Sequence, residues 1–421
     1  MIVGAGLAGL AAATHLAEHG VAACVVESGQ TVGGRVRTDI VDGFRLDRGF
    51  QLYNPAYPEG QRVLDHDALA LKPFIAGAQV RLRKRRARIA DPRRQPTWLI
   101  PSALAPLGSP LAEARFAAYA LSRSRLPMAE LEQAPDITAA QALREAGVDS
   151  ALMNRLLRPF LGGVFLESEL STSRRFMDLV LRSFVRGTPS VPSLGMGEIP
   201  EQLARNLPRP VLLQTPVTEI RDTAVITEHG TIACRAVIIA TDPVAAATFI
   251  PGFVAPPARS VTTWYHRVPD GHHLADGHAV LTLDGAGGGP LINSVVLTHA
   301  APSYSADGET LVSSSALGVH HSGDIDNRVR THLARLYDTD TRAWEQIAVY
   351  PIPYALPAMS VPCEIRSPVR LAPGRYVAGD HRDTASIQGA LVSGRRAAQS
   401  LLNDFPDLAP SRPPSGRQIN I

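Results

Sequence analysis

Lysine is almost missing from this chain of 421 residues: Lys72 and Lys84 are the only two, and the other basic residues are arginine. That scarcity removes most candidates for a catalytic lysine. Cysteine is scarce as well. Cys24, Cys234 and Cys363 lie far apart and form no CxxC pair. A disulfide framework and a zinc site are both disfavoured, and a reducing, cytoplasmic setting is the default. No window runs to eighteen apolar residues. The stretch from Ile2 to Val26 comes nearest, but no basic region precedes it and His15, Glu18 and His19 interrupt it. Neither a signal peptide nor a membrane span is read there. A net charge of +3 gives no reason to expect a nucleic-acid partner. GxSxG and HExxH are both absent, so serine-hydrolase chemistry is unsupported and no metal is expected. His272-His273, His278 and His320-His321 are read as structural or solvent-facing.

What is present is globular: 45% hydrophobic and 19% charged residues, in a chain long enough for two or three domains. It opens with "MIVGAGLAGL", in which Gly4-x-Gly6-x-x-Gly9 fits the dinucleotide fingerprint. Ile2-Val3 end a strand. Leu7, Leu10, Ala11, Leu16 and Ala17 recur at helical spacing, and Gly20 suits the position just past a helix C-terminus. "VAACVV", Val21 to Val26, reads as the next buried strand, and Glu27 ends it with Ser28 beside it. Strand, glycine turn, helix, strand and acid stand in the order that a dinucleotide requires. In that reading Gly4 makes the tight turn, Gly6 leaves room for a pyrophosphate, and Gly9 lets helix and sheet approach. The loop residues Ala5, Leu7 and Ala8 complete the cradle. The helix N-terminus faces the anion, and Glu27 accepts from ribose hydroxyls. A strand is normally about five or six residues. Only Met1 to Val3 precede the turn, so a few strand residues are expected upstream of the recorded start.

The fingerprint alone does not choose between flavin and nicotinamide dinucleotides. Four further stretches do. Gly33-Gly34-Arg35 follows Glu27 after a short loop, and "LDRGFQLYNPAYPE" carries Asp47-Arg48-Gly49-Phe50-Gln51. Near the far end, "GRYVAGDHRDTASIQGALVSGRRAAQSLL" reads as a short strand entering Gly379-Asp380, then a helix capped by Ser386 with a buried stripe from Ile387 to Leu401. Between them, Val211 to Asp242 reads as strand, turn, strand, turn, strand. As a set, these blocks resemble the flavoprotein superfamily of amine oxidases, protoporphyrinogen oxidases and phytoene desaturases. The last block looks nearest to phytoene desaturases.

The resemblance implies FAD as cofactor. It implies that Gly33 and Gly34 let the backbone run beside the cofactor with Arg35 near pyrophosphate and flavin, that Gly49, Phe50 and Gln51 approach the flavin ring, that Val217 contacts the adenine through its backbone, and that Ala240 and Thr241 pass the cofactor. Asp380 would accept from ribityl hydroxyls. The helix start at Ser386, Ile387, Gln388 and Ala390 would lie near flavin N1 and O2, where reduction places negative charge. His381 directly follows Gly379-Asp380 and would lie near the flavin, from which no catalytic role follows. The resemblance covers about a third of the chain and says little of substrate.

The fold class expected is α/β: an interrupted Rossmann-like FAD-binding domain (1–59, 196–255 and 346–404) with an α+β substrate domain (60–195 and 256–345), and a disordered tail, 405–421. Residues 60 to 195 read as mostly helical, with a cap at Asp136-Ile137-Thr138 and stops at Gly147 and Gly162. Residues 260 to 318 read as β-rich, with a hairpin at Asp307-Gly308, and a helix follows from Asp324 to Tyr337. The run "RLRKRRARIADPRR", Arg81 to Arg94, suits a half-exposed hairpin. A solvated hairpin is the favoured reading, and peripheral contact with anionic lipid, helped by the apolar "PTWLIPSALAPLGSPL", is the alternative.

The function expected is an FAD-dependent oxidoreductase, desaturase-like or dehydrogenase-like, that takes a hydride from a C–H bond of a small apolar substrate. Oxygen, a quinone or another acceptor takes the electrons onward. An amine oxidase is an alternative, although the lysine that several such enzymes place near the flavin has no counterpart in the substrate-domain sequence. Tyr350 and Tyr354 are candidate aromatic walls. A redox-neutral flavin isomerase and a non-catalytic FAD-binding protein remain as further alternatives. No catalytic residue is singled out.

Overall fold

The computed structural model describes residues 1–83, 85–269, 274–321 and 323–408. Lys84, His272-His273 and tail residues 409–421 lie outside them. The chain forms two compact units: residues 1–34, 200–255 and 366 onward in the first, and 35–199 with 256–365 in the second.

The first unit is built on short parallel strands. These are β1 (Ile2–Val3), β2 (Val25–Val26), β3 (Val237–Ile239) and β4 (Arg375–Val377), in the spatial order β4-β3-β1-β2, with the antiparallel strand Arg370–Ala372 on the β4 edge. All of β1, β2 and β3 is buried, as expected of a parallel sheet covered on both faces. The register is in line: Val3 stands beside both Ile239 and Val26, and Ile239 stands beside Val377. The strands therefore stop at one level, and the segments that follow them emerge side by side.

Helix α1 (Leu7–Glu18) leaves β1 and α2 (Ile387–Asp404) follows β4. The two pack closely: a Cβ on Gly394 of α2 would stand 2.0 Å from the Ala8 carbonyl oxygen of α1. The small residues of α2 thus admit a neighbouring backbone. Gly20, with φ +78°, stops α1 as its position suggests.

Several sequence expectations are redrawn here. "TIACRAVIIATDP" is two strands: Gly230–Ala233 closes an antiparallel meander with Val217–Ile220 and Ala224–Thr227, whereas β3 joins the parallel sheet. Leu212 forms an isolated parallel bridge to Val26, extending the β2 edge. Of Val21 to Val26, only the last two residues are strand. The start of the expected tail is ordered. Pro406–Leu408 form a turn, the Arg235 guanidinium lies 5.5 Å from the Phe405 ring, and it pairs with Asp407 at 2.8 Å.

The second unit carries a seven-stranded sheet. Its order is Glu345–Pro357, Ala258–Val268, Thr310–Leu317, Leu291–Val296, Leu281–Asp284, Gly77–Arg81, Arg86–Ala90. The basic run supplies the hairpin at one edge. Helix Asp324–Tyr337 buries Val329, Leu333, Leu336 and Tyr337 with Trp264 and Trp344. Helices Pro110–Arg125, Ala139–Glu145, Arg158–Phe165 and Arg174–Arg186 make up most of the helical part. Thr138 caps its helix by accepting from Gln141 N. Gly162 is no stop: the helix runs through it to Phe165. Asp307-Gly308 falls in a long connection that contains the helix Leu297–Ala300, so no tight hairpin forms there.

By packing, residues 35–59 and 346–365 fall in the second unit. Two contacts explain this. Asp47 is buried there among Thr38, Met196 and Tyr304, and Glu345–Pro357 is the edge strand of the seven-stranded sheet.

Candidate dinucleotide site

Four segments of the first unit meet at the carboxyl ends of the parallel strands. The glycine loop follows β1, Glu27 follows β2, Ala240-Thr241 follow β3, and Ala378-Gly379-Asp380 follow β4. Backbone bonds continue across the row: Gly4 N donates to Val26 O (2.8 Å), Ala240 N to Val3 O (2.8 Å) and Ala378 N to Ile239 O (2.9 Å). In open α/β sheets this is where ligands bind.

The three fingerprint glycines differ physically. Gly4 has φ +101°, and a Cβ there would lie 2.8 Å from Ala240 O. A Cβ on Gly9 would lie 2.0 Å from Gly4 O. Both positions exclude any side chain by contact with the protein itself. Gly6 is the opposite case: its φ of −72° is ordinary and a Cβ would meet nothing within 4 Å. Open space therefore lies over Gly6, at the N-terminus of α1, whose first-turn N–H groups have no intrahelical partners. A pyrophosphate fits that cradle.

Glu27 does more than wait for a ligand. Its Oε2 accepts from Ala5 N and its Oε1 from Gly29 N, both at 2.8 Å. The carboxylate thus braces the glycine loop, and its remaining lone pairs are available to ribose hydroxyls. Ser28 is exposed and its hydroxyl stands 3.4 Å from Glu27 Oε1. Gly33 N donates to Ala5 O at 2.8 Å, and Gly34, with φ +60°, would place a Cβ 3.4 Å from Gly6 Cα. The paired glycines therefore lie against the loop they follow by almost thirty residues. Thr241 follows β3, next to Asp242, which caps the short helix Pro243–Phe249. Val217 begins its strand and packs on the core of the unit.

At β4, Gly379 N donates to the buried Ser393 hydroxyl at 3.0 Å, fixing the strand end to α2. Asp380 is buried there. The His381 ring covers Gly379 and meets Phe253 edge-on at 5.8 Å. Ser386 caps α2 by accepting from Gly389 N at 3.1 Å. A Cβ on Gly389 would strike the Thr384 carbonyl oxygen at 1.9 Å, so Thr384, Ser386 and Gly389 form one tight entry into Ile387, Gln388 and Ala390.

The remaining predicted residues sit together in the second unit. Gln51 Nε2 donates to Arg35 O at 2.9 Å, and Phe50 N donates to Thr263 Oγ1 at 3.4 Å. Gly49, with φ +90°, would place a Cβ 2.7 Å from Ile352. Arg35 donates to Ala355 O at 2.8 Å and lies over the Tyr354 ring at 5.8 Å. Tyr350 donates to Asp39 at 3.0 Å and meets Tyr265 edge-on. Sequence reasoning missed Asp47 and Thr263, which hold this segment. Asp47 accepts from Thr38 Oγ1, Met196 N and Tyr304 OH. Burial still pushes its carboxyl up to about 6. The Asp-x-Gly pattern was the available signal for Asp47; Thr263 had none.

Comparison with known proteins identifies the family. A model of the family described as flavin containing amine oxidoreductase matches residues 7–402. No curated protein matches the sequence. Several solved structures share the fold. An oxidoreductase from Methanosarcina mazei is 15% identical over 94% of this chain and 99% of its own, with a TM-score of 0.70. Putrescine oxidase bound to putrescine is 18% identical over 96% and 98%, with a TM-score of 0.68. Cyclohexylamine oxidase from Brevibacterium oxydans is 15% identical over 96% and 98%, also with a TM-score of 0.68. A dinucleotide cradle in a flavin-containing family makes the cofactor FAD. The chain belongs to the flavin-containing amine oxidoreductase family and is a flavin-dependent oxidoreductase acting on a small molecule and an electron acceptor.

Proposed function

We propose that the protein oxidises a C–H bond of a small apolar substrate, in a desaturase-like or dehydrogenase-like reaction, and that it meets this substrate at an anionic membrane surface. Bound FAD supplies the hydride acceptor, at flavin N5. Gly4 to Gly9 with Gly33 and Gly34 would hold the pyrophosphate, Glu27 the adenosine ribose and Asp380 the ribityl chain. The N-terminus of α2 would stabilise negative charge by its dipole. Oxygen, a quinone or another acceptor would receive the electrons.

One observation carries the apolar and membrane reading. Leu99, Ile100, Leu104 and Leu111 are 55%, 70%, 75% and 59% exposed within one short stretch. No charged residue occurs from Gln95 to Leu111. Trp98 is buried and Ser102 accepts from Ala90 N at 3.2 Å, which docks helix Leu99–Ala103 on the strand Arg86–Ala90 and leaves Leu99 and Ile100 outward. The adjoining run Arg81 to Arg94 has eight basic residues and one acid, a surplus of +7 in a chain whose total is +3. Apolar side chains beside a basic run, in which Arg81 pairs with Asp338 and Arg88 with Asp276, match the lipid–water interface of an anionic bilayer. No helix among the described residues is long and apolar enough to cross a membrane.

The scarcity of lysine supports a route other than that of the lysine-bearing amine oxidases. Lys72 lies in the short strand Lys72–Pro73, paired with Ser190–Val191, and not in the seven-stranded sheet. Amine oxidation is the second reading, favoured by the names of two similar structures.

Two measurements test the proposal. Anaerobic mixing with apolar C–H donors should bleach the visible flavin band, whereas complete bleaching by simple amines alone would favour the second reading. Vesicles of phosphatidylcholine with phosphatidylglycerol should sediment the flavoprotein. A Leu99→Ser/Ile100→Ser/Leu104→Ser variant should bind at least about tenfold more weakly, from the lost apolar burial. Equal sedimentation of the two proteins would remove the membrane reading.

A further inference from the structure

The last turn of α1 has the sequence His15-Leu16-Ala17-Glu18-His19. Positions i, i+3 and i+4 share one helix face. One candidate ligand atom from each of His15, Glu18 and His19 lies within 4.8 Å of the other two. We propose that these three residues form a divalent transition-metal site, with Zn²⁺ as the fitting ion, although the sequence contains no HExxH and gave no expectation of a metal.

The side-chain geometry carries the argument. Gln399 Oε1 stands 3.1 Å from His15 Nε2, and Gln399 Nε2 stands 3.0 Å from Asn403 Oδ1. In this amide orientation His15 Nε2 is the donor. His15 Nδ1 is turned to Glu18, 3.4 Å from Oε2. Both atoms are metal-ligand types, and a cation between them would take the place of a shared proton. His19 Nδ1 meets the His15 carbonyl oxygen at 2.8 Å, so it too is the donor, and His19 Nε2 keeps its lone pair. The rings lie 4.5 Å apart by centroid.

Each imidazole thus has its outer nitrogen fixed by a hydrogen-bond acceptor, as metal-ligating histidines do. Two imidazoles and a carboxylate are a known zinc donor set, with a fourth position left for water. Glu18 and His19 are exposed and can rotate the short distance to coordination geometry, whereas His15 is buried and preset. A metal here would tie α1 to α2 through Gln399, since the His15–Gln399 bond joins the two helices. The simpler alternative is a protonated His15 paired with Glu18 alone.

Isothermal titration of the chelator-treated flavoprotein with ZnCl₂ decides between them. The expected result is one Zn²⁺ per chain. His19→Ala, an exposed substitution that leaves the flavin spectrum unchanged, should weaken binding at least about tenfold. Gln399→Leu should weaken it about 10–100-fold through the outer shell. No stoichiometric Zn²⁺ binding, or binding that His19→Ala leaves intact, overturns the proposal. Binding abolished only by cysteine alkylation overturns it as well. Zinc titration of folded protein does not depend on substrate, so its failure leaves the oxidoreductase reading untouched.

Discussion

The glycines of the first turn look interchangeable in the sequence and are not. A methyl group at Gly4 or Gly9 would collide with the carbonyl oxygens of Ala240 and Gly4. Gly4→Ala also imposes a left-handed conformation on alanine. Gly6 meets no protein atom. Gly6→Ala should therefore fold with a melting temperature close to that of the wild-type apoprotein and lose FAD affinity, because the methyl occupies only the ligand's space. Gly9→Ala should lower stability itself, by about 1–3 kcal/mol. Thermal unfolding of FAD-free protein, followed by flavin titration, separates the two effects. Similar losses of apoprotein stability in both variants would show that Gly6 is structural.

Elements meet where small residues allow them to. Helices α1 and α2 touch at Gly394 and Ala8, and both begin at the row of strand ends that forms the cradle. Gly394→Ala would press a methyl against the Ala8 carbonyl. The helices must part, so the variant should lose about 1–3 kcal/mol and hold FAD more weakly, although position 394 lies two turns from the start of α2. Urea unfolding of the apoprotein measures the first effect and flavin release the second. An unchanged midpoint would mean that the helices slide without cost. The Ser386 cap belongs to the same scale: its hydroxyl satisfies Gly389 N, and Ser386→Ala should cost about 1 kcal/mol.

Over the whole molecule, two of the buried groups that shape acid stability oppose each other. Asp47 titrates at about 6 when folded, against 3.8 unfolded, because burial penalises its charge. It takes up its proton more readily in the folded state, so its contribution is complete below pH 3.8 and is lost as pH rises through about 6. His266 runs the other way. Burial holds it at about 4 against 6.5, and its contribution is present above pH 6.5 and is lost as pH falls through about 4. Each amounts to about 3 kcal/mol. Between pH 4 and 6 the two nearly cancel, and their joint contribution to unfolding stability should vary little. His266→Leu should remove one slope and leave a protein that becomes more stable on acidification across that range. Asp47→Asn should do the reverse. Urea midpoints at several pH values check both, and parallel profiles for all three proteins would refute the assignment.

The sequence by itself determined the nucleotide unit and its ligand class. Glycine turns, short buried strands, a capped helix and an acid at a strand end are local features, fixed by steric freedom and hydrogen bonding within a few residues. Gly4, Gly20, Glu27 and Ser386 were legible for that reason. The tertiary structure decided what depends on distant partners. It separated Gly230–Ala233 from Val237–Ile239, since a turn between two apolar runs does not reveal which sheet each one joins. It also carried the helix through Gly162, brought Gln51 to Arg35, buried Asp47 with Thr38, Met196 and Tyr304, and aligned four strand ends from remote parts of the chain. Burial, and with it the charge state of Asp47 and His266, is a property of packing between segments hundreds of residues apart, and no local pattern encodes it.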